Sequence, residues 1–370
     1  MHCSLEKFYP TTGDSLAAHS FQDPPPVSPL PSADRLMVCA ILAQTTPCLP
    51  TTTIQNSRGW MKRGDFLTVR DSTRSQIENL LDRALDFKAR RGLTGELAGR
   101  SVALLFQKPS LRTRTSFDVG VYELGGHTVY LGPDEVGLGK RESIPDVARV
   151  LSRYVHAIVA RTHRHADMQT LAAEASVPVV NALSDFEHPC QAIADLITMR
   201  ECFGRLTGLR VAYVGDGNNT ARSLVFAAAK VGLDLVLASP EGFECEADII
   251  RESHSEAKRL GGAVTVVRDP REAARSADVL YTDVWTSMGQ EDEAEPRRQI
   301  FQAYQINANL VALTDKRAVV MHDLPAHRGE EITADVIDGP RSAVLQQAEN
   351  RLHAQKAILV WLVAKPGEDD

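Results

Sequence analysis

Ser101-Val-Ala-Leu-Leu-Phe-Gln-Lys-Pro-Ser-Leu-Arg-Thr-Arg-Thr-Ser-Phe-Asp118 is the stretch whose reading decides the fold. Its apolar run, Val102 to Phe106, predicts a buried strand. Pro109 stops regular pairing. Ser110 then stands where a helix N-cap belongs, and the residues after it continue as a helix. Strand, break and capped helix start leave backbone N–H groups converging on one spot. The helix dipole favours an anion there. The side chains at that spot are Ser110, Arg112, Thr113 and Arg114, with Lys108 just before them. Hydroxyls donate to phosphate oxygens, and a guanidinium grips two at once. The stretch therefore reads as a phosphate or carboxy-phosphate site. Its plain structural reading is an N-capped helix with a solvated basic turn.

Around this stretch, strands alternate with helices. A helix is predicted from Asp71, capped by Ser72 or Thr73, with Ile77, Leu80, Leu81 and Leu85 on one face. The helix from Ser116 to Leu124 ends at Gly125-Gly126. Val129 to Leu131 is a second strand. Residues 132–143 form a Gly-rich charged loop, either a solvated turn or a mobile loop over a neighbouring subunit's site. Ile144 to Tyr154 reads as helix, Ala157 to Ala160 as a strand ending at Arg161, and Val177 to Val180 as another strand. The alternation implies a parallel α/β sheet, and such sheets bind ligands beyond the carboxyl ends of their strands. Arg161 sits at such an end. So does the segment Asn181 to Gln191, which leads into a helix over Ala192 to Phe203. A lone His is more often structural than catalytic. His188 and Gln191, however, both flank a helix start on the ligand side, with Pro189 near its first turn.

The pattern restarts after Gly208. Leu209 to Val214 is a strand, followed by Gly215-Asp-Gly-Asn-Asn-Thr220 and an Ala-rich helix, Ala221 to Val231. A dinucleotide fingerprint would need Gly at position 220 and an acidic residue after the strand Leu235 to Ala238. The chain has Thr220 and Ser-Pro there, so the topology is expected without a bound nucleotide. The amides Asn218 and Asn219 point instead to a small polar ligand. Ala277 to Thr282 is a strand running into Asp283-Val-Trp-Thr-Ser-Met-Gly289. Asp283 can bind a substrate ammonium, and the turn at Ser287 and Met288 can offer backbone groups to an α-amino acid. Residues 290–299 are charged and predicted helical. Val319 to Met321 is the last strand, ending His322-Asp-Leu-Pro325, and a terminal helix, Gln346 to Leu362, carries Arg351. Pro325 between His322 and His327 breaks the helix that a zincin pattern requires, and His163-x-His165 is too little for a metal site.

The 370 residues allow about two domains, and the net charge of −7 argues against a general nucleic-acid surface. Cys3, Cys39, Cys48, Cys190, Cys202 and Cys245 form no C-x-x-C pair, which fits a reducing cytoplasm rather than a disulfide framework or zinc ribbon. No apolar run approaches the ~20 residues that cross a bilayer. Residues 1–60 are rich in Pro, Ser and Thr and read as a disordered extension. They make no convincing secretory signal, and have too few Arg to press a transit peptide. Met61-Lys-Arg63 looks like a natural start, so the extension is open to being an upstream addition to the gene.

Four separated motifs now agree. Ser110-Leu-Arg-Thr-Arg114, His188-Pro-Cys-Gln191, Asp283-Val-Trp-Thr-Ser-Met-Gly289 and His322-Asp-Leu-Pro325 follow the order found in carbamoyltransferases. The chain resembles the aspartate/ornithine carbamoyltransferase family over roughly residues 61–365, and the Asp283 and Asn218-Asn219 segments look like its ornithine branch. The resemblance implies an α/β fold of two domains, each a parallel sheet flanked by helices, joined by interdomain helices. It places a carbamoyl-phosphate-binding domain over 61–197, an ornithine-binding domain over 198–345, and a C-terminal helix over 346–370 packing back on the first. It further implies a cytoplasmic homotrimer, or a multiple of one, with sites at subunit interfaces. The implied reaction is carbamoyl phosphate plus L-ornithine giving L-citrulline and phosphate, in arginine synthesis or breakdown. By motif position, Ser110, Arg112, Thr113 and the backbone at Leu111 would hold the phosphate. Arg161, His188 and Gln191 would meet the carbamoyl group, and Asn219, Asp283, Ser287 and Met288 would hold ornithine. Asp323, Leu324 and Arg351 would complete the pocket, with Asp323, Arg161 and His188 as catalytic groups. No membrane, nucleic acid, metal or organic cofactor is implied.

The chemistry agrees from below. An alkyl amine near pKa ~10.4 must lose its proton before attacking. Attack builds an oxyanion, for which Arg161, His188 and Thr113 are suitable donors. Ordering two substrates in one cleft contributes up to ~7–11 kcal/mol. Two positions depart from the family: Leu111 where Thr is more frequent, and Asp323 where Cys is usual. An Asp with its ordinary pKa of ~3.9 is ionised at neutral pH and can serve as acceptor or counter-charge, but is shorter in reach and harder to desolvate. Retained activity with altered ornithine affinity or pH optimum is expected. Other acceptors (putrescine, N-acetylornithine, aspartate) stay open; the Asp283 segment favours a free α-amino acid, and aspartate needs cationic side chains that the sequence does not place. A non-catalytic binder that kept the fold is opposed by the intact Arg112, Thr113, Arg161 and His188. A nucleotide-dependent dehydrogenase is disfavoured by Thr220.

Overall fold

The computed structural model of the protein describes residues 64–286 and 291–364. The readings of residues 1–60, of Met61 as a start, and of Ser287 and Met288 lie outside the described residues. Two parallel sheets are built in sequence order. The first comprises β1 (Ser101–Phe106), β2 (His127–Leu131), β3 (Ala157–Arg161) and β4 (Val179–Leu183), in the order β2-β1-β3-β4. The second comprises β5 (Arg210–Val214), β6 (Asp234–Ala238), β7 (Ala263–Val267), β8 (Val279–Thr282) and β9 (Val319–His322), in the order β7-β6-β5-β8-β9. The longer helices are α1 (Arg74–Ala89), α2 (Leu111–Glu123), α3 (Ile144–Tyr154), α4 (His165–Glu174), α5 (Pro189–Phe203), α6 (Asn219–Val231), α7 (Ala247–Arg259), α8 (Ala294–Phe301) and α9 (Val344–Val363).

The central strands are apolar along their whole length because helices cover both faces of a parallel sheet. Val102 to Phe106 and Val211 to Val214 are all buried. Each sheet has one switch point, where the strand order reverses, and there the carboxyl ends open a crevice. In the first sheet it lies between β1 and β3, which pair Phe106 with Arg161. In the second it lies between β5 and β8, which pair Tyr213 with Tyr281.

Several boundaries moved from the sequence reading for local reasons. Thr73, not Ser72, caps α1, completing a capping box with Gln76. Strand β4 begins at Val179, because Pro178 has no N–H to give, and continues to Leu183. There Phe66 adds a parallel bridge to Val180, donating to Val179 O at 2.9 Å. Helices α5 and α6 begin earlier than expected, at Pro189 and Asn219. Helix α7 and β7 were not read from the sequence. The helix buries only Ile249, Ser253 and Ala257 among many charged residues, and only Val264 of the strand is fully buried. Helix α4 was likewise missed.

The last long helix, α9, ties this together. It lies against α1, α2 and α5. Asn350 donates to Thr198 Oγ1 at 2.9 Å and Gln347 to Asp195 Oδ1 at 2.8 Å, both on α5. Fully buried Lys356 pairs with Glu123 of α2 at 2.7 Å and stands 4.8 Å from the Phe87 ring of α1. Removing one member of a buried pair leaves an uncompensated charge. Glu123→Ala is therefore expected to lower unfolding free energy by about 3 kcal/mol, measured by denaturant titration, with part of the loss recovered when Lys356→Met is added.

Candidate active site

The switch points face one cleft of about 1040 Å³. Its first wall is the turn after β1. Ser110 is extended (φ −159°, ψ 117°) and caps α2, accepting from Thr113 N at 3.2 Å. Arg161, the last residue of β3, reaches Ser110 Oγ with Nη1 at 3.3 Å. Arg351, from α9, donates to Thr113 Oγ1 at 3.0 Å and to Gln191 Oε1 at 2.6 Å. Gln191 in turn donates to Asp195 Oδ1 at 2.8 Å, and Asp195 also receives Tyr281 OH at 3.0 Å. Gln191 is 1% exposed and does not line the cleft; it stands behind Arg351, where sequence reading had put it against a ligand. Arg114 is exposed and lies over the Tyr130 ring at 3.5 Å, outside the cleft that its position in the motif suggested. The Leu111 side chain is 76% exposed, so only its backbone can serve a bound anion within the cradle.

Three guanidiniums thus crowd one corner. Burial, then Arg351 and Arg112, pull Arg161 down to about 10; burial also lowers Arg112 and Arg351. All three stay charged at neutral pH and make a strong anion site. His188, the N-cap residue of α5, is 4% exposed. Burial first, then Arg351, Arg161 and Arg112, hold its imidazole well below the ordinary value, so it is neutral. Its Nδ1 is buried without a protein hydrogen-bond partner.

The facing wall is acidic. Asn218 caps α6, its Oδ1 accepting from Thr220 N at 3.0 Å and Ala221 N at 3.1 Å. Its Nδ2 donates to Asp283 Oδ2 at 2.7 Å, and Val284 N donates to Asp283 Oδ1 at 2.7 Å. Asn219 lines the cleft but spends its amide on Ser184 O at 2.8 Å. The turn that presents these amides needs glycine: a Cβ on Gly217 would lie 2.3 Å from Cys245 N. Asp323 accepts from Thr220 Oγ1 at 3.3 Å, while its other oxygen is buried with no hydrogen-bond partner. Burial, then the neighbouring Asp283 carboxyl, push Asp323 well above the usual carboxylate range. The expectation of an ordinary Asp pKa near ~3.9 is thereby corrected. Leu324 has φ +60°, rare for a branched residue, and a cis bond joins it to Pro325. Its N–H donates to His322 Nδ1 at 2.9 Å, and His322 Nε2 meets Glu331 at 3.1 Å, so both ring nitrogens are engaged and neither is open to a metal.

Sequence reading missed other cleft residues. Arg297 pairs with Asp216 at 2.8 Å and donates to Trp285 O at 2.8 Å. Nothing in its charged helix distinguishes it from a solvated face. The Gly-rich loop 132–143 lines no part of the large cleft; its Leu138 O accepts from Gln107 Nε2 at 3.1 Å.

Two family models match the chain. The aspartate/ornithine carbamoyltransferase carbamoyl-P binding domain covers residues 64–201, and the Asp/Orn binding domain of the same family covers 207–362. An ornithine carbamoyltransferase of Thermococcus kodakarensis is 51% identical over 302 residues, 81% of this chain and 96% of that protein. One of Acidothermus cellulolyticus is 54% identical over 305 residues, 82% of this chain and 97% of that protein. The solved ornithine carbamoyltransferase of Pyrococcus furiosus is 50% identical, with a TM-score of 0.79 over 81% of this chain and 97% of that one.

The crowding of cations around His188 has a direct consequence. Its ring is expected to stay neutral, its NMR signals flat between about pH 5.5 and 8, because the folded-state pKa lies below the unperturbed ~6.5. A titration midpoint near 6.5 in the native protein would contradict this geometry.

Proposed function

The chain belongs to the aspartate/ornithine carbamoyltransferase family, and on that footing we propose that it transfers the carbamoyl group of carbamoyl phosphate to the side-chain amine of L-ornithine. The single observation that carries this is the cleft's polarity. Arg112, Arg161 and Arg351 stand on one wall, and the carboxyls of Asp283 and Asp323 on the other. A doubly charged donor and a cationic acceptor are thus drawn to opposite sides of one space.

Each residue then has a task. Ser110, Arg112, Thr113 and the Leu111 N–H take the phosphate at the positive end of α2. Arg161 and neutral His188 donate to the carbamoyl oxygen, whose charge grows as the amine attacks. Gln191 serves by holding Arg351 in place. Asn219, Asp283 and the segment with Ser287 and Met288 take ornithine, and Leu324 closes the pocket beside Asp323. Ornithine arrives with its δ-ammonium protonated. That proton leaves to Asp323 in its carboxylate form, whose raised pKa makes it a better base than an exposed Asp. The freed nitrogen forms the new C–N bond. The tetrahedral intermediate collapses, the C–O bond to phosphate breaks, and the electron pair leaves with phosphate. The extra proton on the attacking nitrogen passes to the leaving phosphate, which departs as hydrogen phosphate, and the proton taken by Asp323 is the one released overall. The guanidiniums stabilise the departing charge, so no strong acid is called for.

We further propose a cytoplasmic homotrimer or a multiple of one. Supporting it, Val119 and Tyr122, one turn apart on α2, are 39% and 66% exposed. Such apolar exposure suits an assembly face.

Citrulline formation, assayed with ornithine, N-acetylornithine, putrescine and aspartate, is expected to be fastest with ornithine by kcat/KM. Preference for another amine would redirect the assignment, and no product from any would sink it. Asp323→Cys should keep activity but shift the pH–rate profile relative to the native enzyme; superimposable profiles would remove Asp323 from proton transfer. Asp323→Asn, which keeps shape but cannot take the proton, should lower kcat by about 10²-fold or more.

A further inference from the structure

The loop 184–188, which ends in His188, hangs from a helix of the other sheet. Five successive residues are held by three neighbours on α6. Asn219 Nδ2 donates to Ser184 O at 2.8 Å. Arg222 Nη1 donates to Asp185 O at 3.0 Å and Phe186 O at 3.2 Å. Ser223 donates to Glu187 Oε2 at 3.1 Å and accepts from His188 N at 2.8 Å. The Glu187 side chain belongs to a residue with 0% exposure, and the same Oε2 accepts from Val69 N at 3.0 Å. Its Oε1 is buried with no partner.

We propose that Glu187 is a positioning residue for His188, acting through the Ser223 hydroxyl. The inference rests on the carbamoyl-transfer reading of this cleft. A hydroxyl has one proton and two lone pairs. With Glu187 Oε2 taking the proton, a lone pair of Ser223 is fixed toward the His188 N–H, and the start of α5 is set against α6. Remove the acceptor and the hydroxyl has no fixed direction. The same link couples the two halves of the cleft, because α6 is capped by the Asn218 that holds Asp283.

Burial raises the Glu187 carboxyl to about 8, opposed by its bonds from Val69 and Ser223 and assisted by Asp71. The other charged groups around it are engaged elsewhere: Arg70 with Glu252 at 2.7 Å and Arg222 with Glu246 at 2.8 Å. His165, beside Phe186, is itself held down by burial. The carboxyl is thus neutral at pH 7. Its folded-state pKa lies above the unfolded value, so the stability it contributes is present at low pH and lost as pH rises through about 8. Above that, an unpaired charge is buried at the hinge of the loop.

The test is kcat, both KM values and melting temperature from pH 6 to 10 for native, Glu187→Gln, Glu187→Leu and Ser223→Ala. Glu187→Gln keeps an acceptor without a charge. It should match native kcat at pH 7 and hold it at pH 9, where the native enzyme has fallen by at least about half. Glu187→Leu and Ser223→Ala should lose about tenfold in kcat at pH 7, with ornithine KM moving less than about threefold. Parallel profiles for native and Glu187→Gln, or a lowered melting temperature with unchanged kcat in the other two, would overturn the proposal. If Glu187→Leu does not fold, Ser223→Ala and the Glu187→Gln profile decide. A native enzyme that makes no citrulline fails the functional reading alone. The His188 ring signal then decides this one: it should move in Ser223→Ala and stay put in Glu187→Gln at pH 7, and the opposite pattern or an unmoved signal overturns it.

Discussion

Arg351 bonded to Thr113 and Gln191 is the contact on which the site depends. A buried guanidinium is costly unless its donors are matched, and here Nη2 and Nη1 are matched by a hydroxyl on α2 and an amide on α5, while Nε is buried without a protein partner. Asp195 anchors the amide from behind, accepting from Gln191, Gln347 and Tyr281; burial pushes it up to about 6 against those three bonds. With Arg351 fixed, Arg161 and Arg112 are crowded into one corner, and their mutual repulsion favours any dianion that enters. The same crowding keeps His188 neutral and ready to donate or accept without charge of its own.

Across the cleft the logic is reversed. Asp283 is held by Asn218 and the Val284 N–H, whereas Asp323 keeps one oxygen without a partner. A thiolate at that position would be a soft, diffuse charge. A carboxyl pressed against another carboxyl shares the burden differently, since a like charge favours retention of a proton. Guanidiniums on one side and carboxyls on the other give the two substrates distinct addresses in one space. Neither wall belongs to one sheet alone: Asn219 of α6 braces Ser184, and Tyr281 of β8 braces Asp195.

Much of this was legible in the sequence where local rules act alone. The Ser110 cap, the buried run of β1, Arg161 at a strand exit and the Asn218 turn all follow from short-range patterns. What escaped was set by distance or by surroundings. Thr113 and Arg351 are 238 residues apart, so no local rule could join them, although motif position had put both near one pocket. Gln191 was read as facing a ligand because its motif lies there, and only packing shows that Arg351 intervenes. Arg297 and Glu187 look like ordinary surface charges in sequence; exposures of only 6% and 0% make them otherwise. The shift of Asp323 likewise comes from burial and then from Asp283, forty positions upstream in the chain and beside it in space.

One arrangement bears on how the enzyme is made. Residue 351 belongs to the final long helix, which a ribosome releases only after both sheets have emerged. Until that helix docks, Thr113 and Gln191 lack the guanidinium that joins them, and the cationic corner is incomplete. A nascent chain can fold its strands early yet has no complete donor site before the segment carrying Arg351 has emerged and docked.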